Sequence, residues 1–205
     1  MRGEKMRIRI SVLVLSLSLI PFFLTKICKG EEVKMGEKKV LMVIAQKDFR
    51  DEEYKYPREI LEEGGIKVVV ASSKLGTAYG SYGLTANVDL LLDEVNPQEY
   101  EAIIFVGGMG SSEYFDNPKA HFLAQELFKK GKLVCAICIA PNTLAQAGIL
   151  KGKKATAYPS VKEEMVKQGA IFTGKDVEVD GNIITANGPH AAKDFGKIIL
   201  EKLQK

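Results

Sequence analysis

Four short, predominantly apolar segments most constrain the fold of this 205-residue chain. They span residues 39–45, 66–71, 102–106 and 133–137. A strand with one face in solvent alternates apolar and polar residues, whereas a continuous apolar run is typical of a strand buried on both faces. The pattern therefore predicts a mostly parallel sheet that other elements cover on each side.

Amphipathic segments separate these strands, and turn residues bound them. Residues 51–63 stop at Gly64-Gly65, and residues 117–128 open at Asn117-Pro118. The remaining predicted elements are helices over 141–147, 161–168 and 191–203, a short strand over 155–158, and hairpins over 74–88 and 177–186. Strands alternating with helices predict one domain over residues 31–205 of the α/β class. We expect a flavodoxin-like three-layer sandwich, with a mostly parallel sheet and helices on both faces.

The first thirty residues have the composition of a targeting segment. They begin with a basic stretch, and residues 10–24 form an apolar run shorter than the roughly 20 residues that a spanning helix needs. Small residues at Cys28 and Gly30 favour cleavage before Glu31. We therefore predict a signal peptide at residues 1–30 and an exported, periplasmic or extracytoplasmic protein without stable membrane contact after cleavage. The alternative is an N-terminal anchor through the apolar run.

The distribution of charge argues against one class of partner. The net charge of +3 comes from the first thirty residues, where six basic side chains and one acid give +5. The other 175 residues carry 23 basic and 25 acidic side chains, a net charge of −2. A body of that sign does not attract a phosphate backbone, so we expect no nucleic-acid partner.

The segment Ala136-Ile137-Cys138-Ile139-Ala140 carries the most informative chemistry. Its small-x-nucleophile-x-small spacing, between a predicted strand and a predicted helix, matches a nucleophile elbow, where a sharp turn requires small flanking residues. At the amino end of a helix, the thiol is expected to have a lowered pKa. The backbone N–H groups of Ile139 and Gly108 would form an oxyanion hole. The alternative is that Cys138 is a small buried hydrophobe.

Cys135 and Cys138 also form a C-x-x-C sequence. Cys135 lies inside the predicted strand, where residues i and i+3 are roughly 10 Å apart, beyond the reach of a disulfide. We interpret Cys135 as core packing, with a redox pair as the alternative.

Four motifs in colinear order resemble the ThiJ/PfpI (DJ-one) family over residues 38–204. They are Asp48–Pro57 (DFRDEEYKYP), the stretch from Gly83 to Gly108 that ends in FVGG, Ala136–Pro141 (AICIAP) and Thr185–Pro189 (TANGP). An aromatic residue at Tyr158 is similar to the YajL-type bacterial members. The resemblance implies a homodimer that needs no metal and no other cofactor.

The resemblance also implies roles for individual residues. Cys138 is the reactive cysteine, and Glu53, four residues before Pro57, is the acid that hydrogen-bonds its sulfur. For Glu53 the alternative is a solvated charge at a helix start. The implied pocket residues are Gly107, Tyr158, Gly188, Pro189 and His190.

One departure from the family pattern bears on the reaction. PfpI-type peptidases place His directly after the nucleophile, whereas this chain has Ile139, which removes the general base and argues against proteolysis. His190 is a candidate replacement base, and a histidine that faces water is the alternative.

Three functions remain open from the sequence. The first is an enzyme acting on a small aldehyde or a carbonyl-modified substrate, glyoxalase III-like or deglycase-like, with Cys138 as nucleophile and Glu53 as proton shuttle. The second is a redox sensor or stress protector in which Cys138 is oxidised. The third is a chaperone or interaction protein in which the turn at Cys138 has a structural role only.

Overall fold

The computed structural model describes residues 37–205, which contain twelve strands and five α-helices. The strands are β1 (Lys39–Val43), β2 (Lys47–Phe49), β3 (Lys67–Ser72), β4 (Gly76–Gly80), β5 (Thr85–Val88), β6 (Leu90–Leu91), β7 (Ala102–Phe105), β8 (Leu133–Ile137), β9 (Lys154–Ala155), β10 (Ile171–Phe172), β11 (Val177–Asp180) and β12 (Ile183–Ala186). The helices are α1 (Asp51–Glu63), α2 (Pro118–Lys129), α3 (Pro141–Gln146), α4 (Lys162–Lys167) and α5 (Ala192–Gln204).

Seven strands form the main sheet in the order β11-β12-β8-β7-β1-β3-β6. Every neighbouring pair is parallel except the edge hairpin β11–β12. The central strand β1 pairs with β7 and β3, and Val40 lies opposite Ala102 on one side and Val68 on the other. This is the predicted mixed, mostly parallel flavodoxin-like sheet.

Alternate residues of the central strands feed two separate cores, because successive side chains of a strand point to opposite faces. In β1, Leu41 and Val43 join the core that contains α2, α3 and α4, whereas Val40 and Met42 join the core that contains α1 and α5. All four are fully buried. The continuous apolar runs of the sequence are therefore explained by helices on both faces of the sheet.

Most predicted elements begin and end within one or two residues of their expected bounds. Helix α1 has the predicted bounds, residues 51–63. The hairpin predicted over residues 74–88 is β4–β5, which joins β2 in a small three-stranded sheet. The strand expected over residues 155–158 is wrong in extent, since β9 ends at Ala155. The ladder ends there because later N–H groups bond elsewhere: Thr156 donates to Thr185 Oγ1 (2.9 Å), and Tyr158 donates to the Cys138 carbonyl (2.8 Å).

The predicted signal peptide over residues 1–30, and its alternative as an anchor, lie outside the described residues. Export therefore stays a prediction. Between residues 37 and 205, no helix has the length and apolar character needed to cross a membrane.

The packing of α5 against the sheet gives a direct test of the fold. Phe195 is fully buried in the core that α1 and α5 share. We expect Phe195→Ala to lower the free energy of unfolding by about 3–5 kcal/mol, because it leaves a cavity where an aromatic ring packs. Urea denaturation measures this loss. Lys197→Ala, two residues along the same helix at an exposed position, is the control and should change stability by less than about 0.5 kcal/mol. An equal effect of both variants would contradict the packing described.

Candidate active site

Cys138 occupies a strained turn between β8 and α3. Its φ of 64° lies in the left-handed region, which a residue with a side chain rarely adopts. Backbone hydrogen bonds hold it there: its N–H donates to Ala186 (2.9 Å), and its carbonyl accepts from Tyr158 (2.8 Å). Ala136 and Ala140 are fully or almost fully buried, as close packing around a sharp turn requires. Strain of this kind costs of the order of 1–3 kcal/mol and often marks a functional residue.

Glu53 lies beside this turn and is completely buried. It sits in the first turn of α1, whose start is fixed by the Arg50 N–H donating to the Gly107 carbonyl (2.9 Å). A Cβ added at Gly107 would collide with Glu53 Oε2 and with Cβ of Cys138, the latter at 2.5 Å. Glycine at position 107 therefore lets the carboxyl group and the cysteine adjoin each other.

Burial controls the protonation of Glu53. Removal from water raises the pKa of its carboxyl group to about 8, against the smaller lowering effects of Cys138 and Arg50. The carboxyl group therefore holds its proton at neutral pH. This settles the alternative in which Glu53 is a solvated charge: that interpretation is wrong.

The thiol of Cys138 differs from the sequence expectation. Burial, and then the negative charge available at Glu53, raise the pKa of Cys138 to about 12, whereas the sequence predicted a lowered value. The helix that follows, α3, has only six residues, so its dipole is small compared with the cost of burying a charge. The pair Glu53–Cys138 therefore releases its first proton near pH 8 and holds the second tightly.

The N–H groups of Gly108 and Ile139, the two groups predicted as an oxyanion hole, both act to lower the pKa of Cys138 and so favour the thiolate. Their role as an oxyanion hole stays a prediction. Gly108 has a φ of 99°, and a Cβ there would strike the backbone of residues 48–50, so the N–H can approach the sulfur only with glycine at this position.

A cavity of about 520 Å³ opens onto Cys138 and Glu53. Of the other predicted residues, Gly108, Ile139, Tyr158 and Pro189 line it. Gly107 lies behind the pair rather than in the wall, and Gly188 lies next to Tyr158 and His190.

Gly107, Gly188 and His190 do not line the cavity, so the prediction that these three are pocket residues is wrong. His190 instead lies beside an acidic side chain. Its Nε2 lies 3.2 Å from the Asp176 carboxylate, and both side chains are mostly exposed. Sequence spacing did not indicate this acidic partner of His190.

Sequence reasoning missed five residues of the cavity wall. They are Arg50, Ser81, Tyr82, Met109 and Ser160. Ser81 and Tyr82 belong to the tip of the β4–β5 hairpin, whose contact with the site depends on long-range packing. Arg50 and Met109 carried an available signal, since Arg50 lies inside a quoted motif and Met109 directly follows one.

Cys135 is fully buried on the face of the sheet that packs against α1 and α5, as predicted. Burial raises the pKa of its thiol well above the usual value. Both Cys135 and Cys138 are free thiols in this structure, which gives the redox-pair alternative no support. Among residues 37–205, no group of three or more His, Cys, Asp or Glu side chains is arranged to hold a metal ion.

Comparison with known proteins places this architecture in a family. The model described as the DJ-1/PfpI family matches residues 38–202. An uncharacterized protein of Methanocaldococcus jannaschii is 44% identical over 200 residues, covering 96% of this chain and 98% of the relative. A protein of Pyrococcus furiosus named deglycase PfpI is 36% identical over 149 residues, covering 73% of this chain and 90% of the relative.

Solved structures show the same fold. A ThiJ/PfpI domain protein from Brachyspira murdochii has a TM-score of 0.80 and 34% identity, covering 82% of this chain and 98% of that chain. DJ-1beta of Drosophila melanogaster has a TM-score of 0.74 and 31% identity, covering 82% and 90%. The family resemblance seen in the sequence is thereby confirmed, whereas special closeness to YajL-type members stays a prediction.

The raised pKa of Glu53 predicts how stability depends on pH. The folded chain keeps this proton up to about pH 8, whereas the unfolded chain releases it near 4.5. Between these values the unfolded state binds fewer protons, so the contribution of Glu53 to stability falls by about 1.4 kcal/mol per pH unit as pH rises. Glu53→Gln removes this dependence and should gain stability relative to the wild type from pH 5 to pH 8.

Urea denaturation at four pH values across this window measures the effect. Glu63→Gln, at an exposed position of the same helix, controls for the general effect of removing a carboxylate. Parallel pH profiles for the wild type and Glu53→Gln would contradict the buried, proton-holding carboxyl group.

Proposed function

We propose that this chain, which belongs to the DJ-1/PfpI family, uses Cys138 and Glu53 to transform reactive carbonyl compounds in a glyoxalase III-like or deglycase-like reaction. One observation carries the proposal: a buried carboxyl group with a pKa near 8 adjoins a cysteine on a strained turn, at the base of an open cavity. The relatives named deglycase, among them the P. furiosus protein, support the same class of substrate.

The first step is addition of the sulfur to an aldehyde. Loss of one proton from the pair leaves one proton shared between Glu53 and Cys138, and the thiolate form is stabilised by the N–H groups of Gly108 and Ile139. The sulfur–carbon bond forms as the proton held by Glu53 moves to the carbonyl oxygen. The product is a hemithioacetal, and the step is neither an oxidation nor a reduction.

The second step suits a 2-oxoaldehyde. Glu53, now a carboxylate, removes the hydrogen from the former aldehyde carbon as a proton and returns a proton to the adjacent ketone carbon. The hydroxyl proton of the hemithioacetal passes to the ketone oxygen in the same rearrangement, so two protons move and none is lost. The aldehyde carbon is thereby oxidised to a thioester while the ketone carbon is reduced to an alcohol. Water then hydrolyses the thioester, which releases a 2-hydroxy acid and restores the thiol. The sum is addition of one water to the 2-oxoaldehyde, without an external oxidant or reductant.

Proteolysis has less support than carbonyl chemistry. The chain has two histidines. His121 bonds the carbonyl of Phe115 through Nε2 (2.6 Å), and His190 faces Asp176. Neither lines the cavity at Cys138, so the imidazole base of a peptidase triad is missing from the wall.

Oxidative regulation is the second candidate, and the protonated carboxyl group favours it. A protonated Glu53 donates a hydrogen bond to a sulfenate or sulfinate on Cys138, which a carboxylate would repel. Peroxide oxidation confined to Cys138, without carbonyl turnover, would select this function over the first. Homodimerisation and export stand beside it as further proposals from the sequence.

The enzymatic proposal predicts both which variants lose turnover and how turnover depends on pH. Cys138→Ser should lose methylglyoxal turnover by on the order of 10³-fold or more, because the alcohol is a far weaker nucleophile. Turnover by the wild type should rise with pH up to about 8, because the reactive form is the Glu53–Cys138 pair that has lost one proton, and burial raises the pKa for that loss to about 8. The rate is measured with the full chain as the amount of 2-hydroxy acid formed over time, and chiral analysis identifies the product.

Cys135→Ala is the matched control: Cys135 is fully buried in the core that contains α1 and α5 and does not line the cavity, so its loss should leave turnover unchanged apart from stability. Turnover that survives in Cys138→Ser, or that is constant from pH 6 to pH 8, would contradict the proposal.

A further inference from the structure

The cavity is much larger than the smallest reactive carbonyls. Its volume of about 520 Å³ lies within the range of about 300–1,000 Å³ that is typical of sites for small organic ligands. Methylglyoxal, with only a few heavy atoms, would contact the sulfur and leave most of the wall untouched. The remaining wall therefore has to be explained by another part of a ligand.

Hydroxyl groups and aromatic rings make up that remaining wall. Ser81, Tyr82, Tyr158 and Ser160, which each carry a hydroxyl group, line it. Tyr82, Tyr158 and Met109 are 68%, 49% and 76% exposed, so rings and a flexible thioether surround the mouth. Aromatic surface with a few convergent hydrogen-bonding groups is the composition of a small-molecule site.

Arg50 adds donors to the same wall. Its Nε donates to Glu52 (2.8 Å) and its Nη1 to the Tyr82 hydroxyl (2.9 Å), while Nη2 lies at 3.4 Å from the second Glu52 oxygen. The guanidinium lies 4.4 Å from the centre of the Tyr82 ring. A guanidinium group has five N–H donors. The three contacts that Arg50 makes with described residues therefore leave two N–H groups for a ligand. Because Glu52 neutralises the charge, the site favours neutral acceptors over an anion.

The hairpin tip that carries this wall is held in place. Asp51 accepts hydrogen bonds from the N–H groups of Tyr82 (3.0 Å) and Leu84 (2.8 Å), and the Ser81 N–H donates to the Phe49 carbonyl (2.9 Å). These bonds join the tip to the segment that precedes Glu53. A wall fixed before the ligand arrives loses little conformational entropy on binding.

We infer that the preferred substrate of this site is an open-chain 2-oxoaldehyde with a hydroxylated tail, of the kind that sugars give on degradation. The aldehyde end lies at Cys138, and the tail lies against Arg50, Ser81 and Tyr82. This rests on the proposed function and names the substrate class for it. The same balanced addition of water converts such a compound into a hydroxylated 2-hydroxy acid.

The test compares two substrates in the full chain. The probes are 3-deoxyglucosone, a six-carbon 2-oxoaldehyde with a hydroxylated tail, and methylglyoxal, which lacks the tail. Tyr82→Ala and Arg50→Met should each raise the KM for 3-deoxyglucosone about tenfold and raise the KM for methylglyoxal clearly less, because only the longer compound reaches them. Tyr79→Ala is the matched control: Tyr79 is an exposed aromatic residue of the same hairpin that does not line the cavity. It should change neither KM.

Equal changes for both compounds, or no change for either, would overturn the inference. So would a preference for a carboxylate-tailed 2-oxoaldehyde such as 4,5-dioxopentanoate that disappears in Arg50→Met, since recognition would then be by charge.

A second readout keeps the inference separate from the proposed function. Reversible adduct formation at Cys138 is measured as protection from iodoacetamide, which requires no turnover. If neither compound is turned over, the proposed function fails. Stronger protection by 3-deoxyglucosone than by methylglyoxal, weakened in Tyr82→Ala, would still support the substrate class, and equal protection by the two compounds would overturn it.

Discussion

The close approach of the buried Glu53 carboxyl group to Cys138, beside Gly107, organises the site. Oε2 of Glu53 and Cβ of Cys138 both crowd the space where any side chain at position 107 would lie. The contact requires α1 to begin against the loop after β7, which the Arg50–Gly107 hydrogen bond secures, and it requires β8 to end in a turn with positive φ. The start of α1, the loop after β7 and the turn after β8 are distant in sequence, and together they place Glu53 beside Cys138.

The electrostatics of the site follow from that burial. An isolated carboxylate in the core is costly, so the folded chain keeps Glu53 protonated until about pH 8. The same surroundings oppose a thiolate at Cys138, and the N–H groups of Gly108 and Ile139 offset this only in part. A proton shared by the pair can move to a substrate oxygen as the sulfur adds, which links the stability of the fold to the chemistry of the site.

Much of this was readable in the sequence. Continuous apolar runs gave the buried parallel strands, and the small residues around Cys138 indicated the sharp turn. The predicted lowering of the Cys138 pKa was wrong, because the pKa depends on the balance between a helix dipole and burial. Neither the six-residue length of α3 nor the depth of Glu53 is a local property of the sequence. The orientation of His190 toward Asp176 and the contribution of Tyr82 to the wall also depend on contacts between distant segments.

The central claim is that Glu53 is a neutral acid beside Cys138 at neutral pH. Infrared difference spectroscopy between the wild type and Glu53→Gln, with isotope-labelled glutamate, follows the carbonyl band of this one protonated carboxyl group. The band should persist at pH 7 and disappear with a midpoint near 8, as burial of the group requires. Loss of the band near the ordinary value of 4.5 would show an ionised carboxylate at neutral pH and would contradict the account.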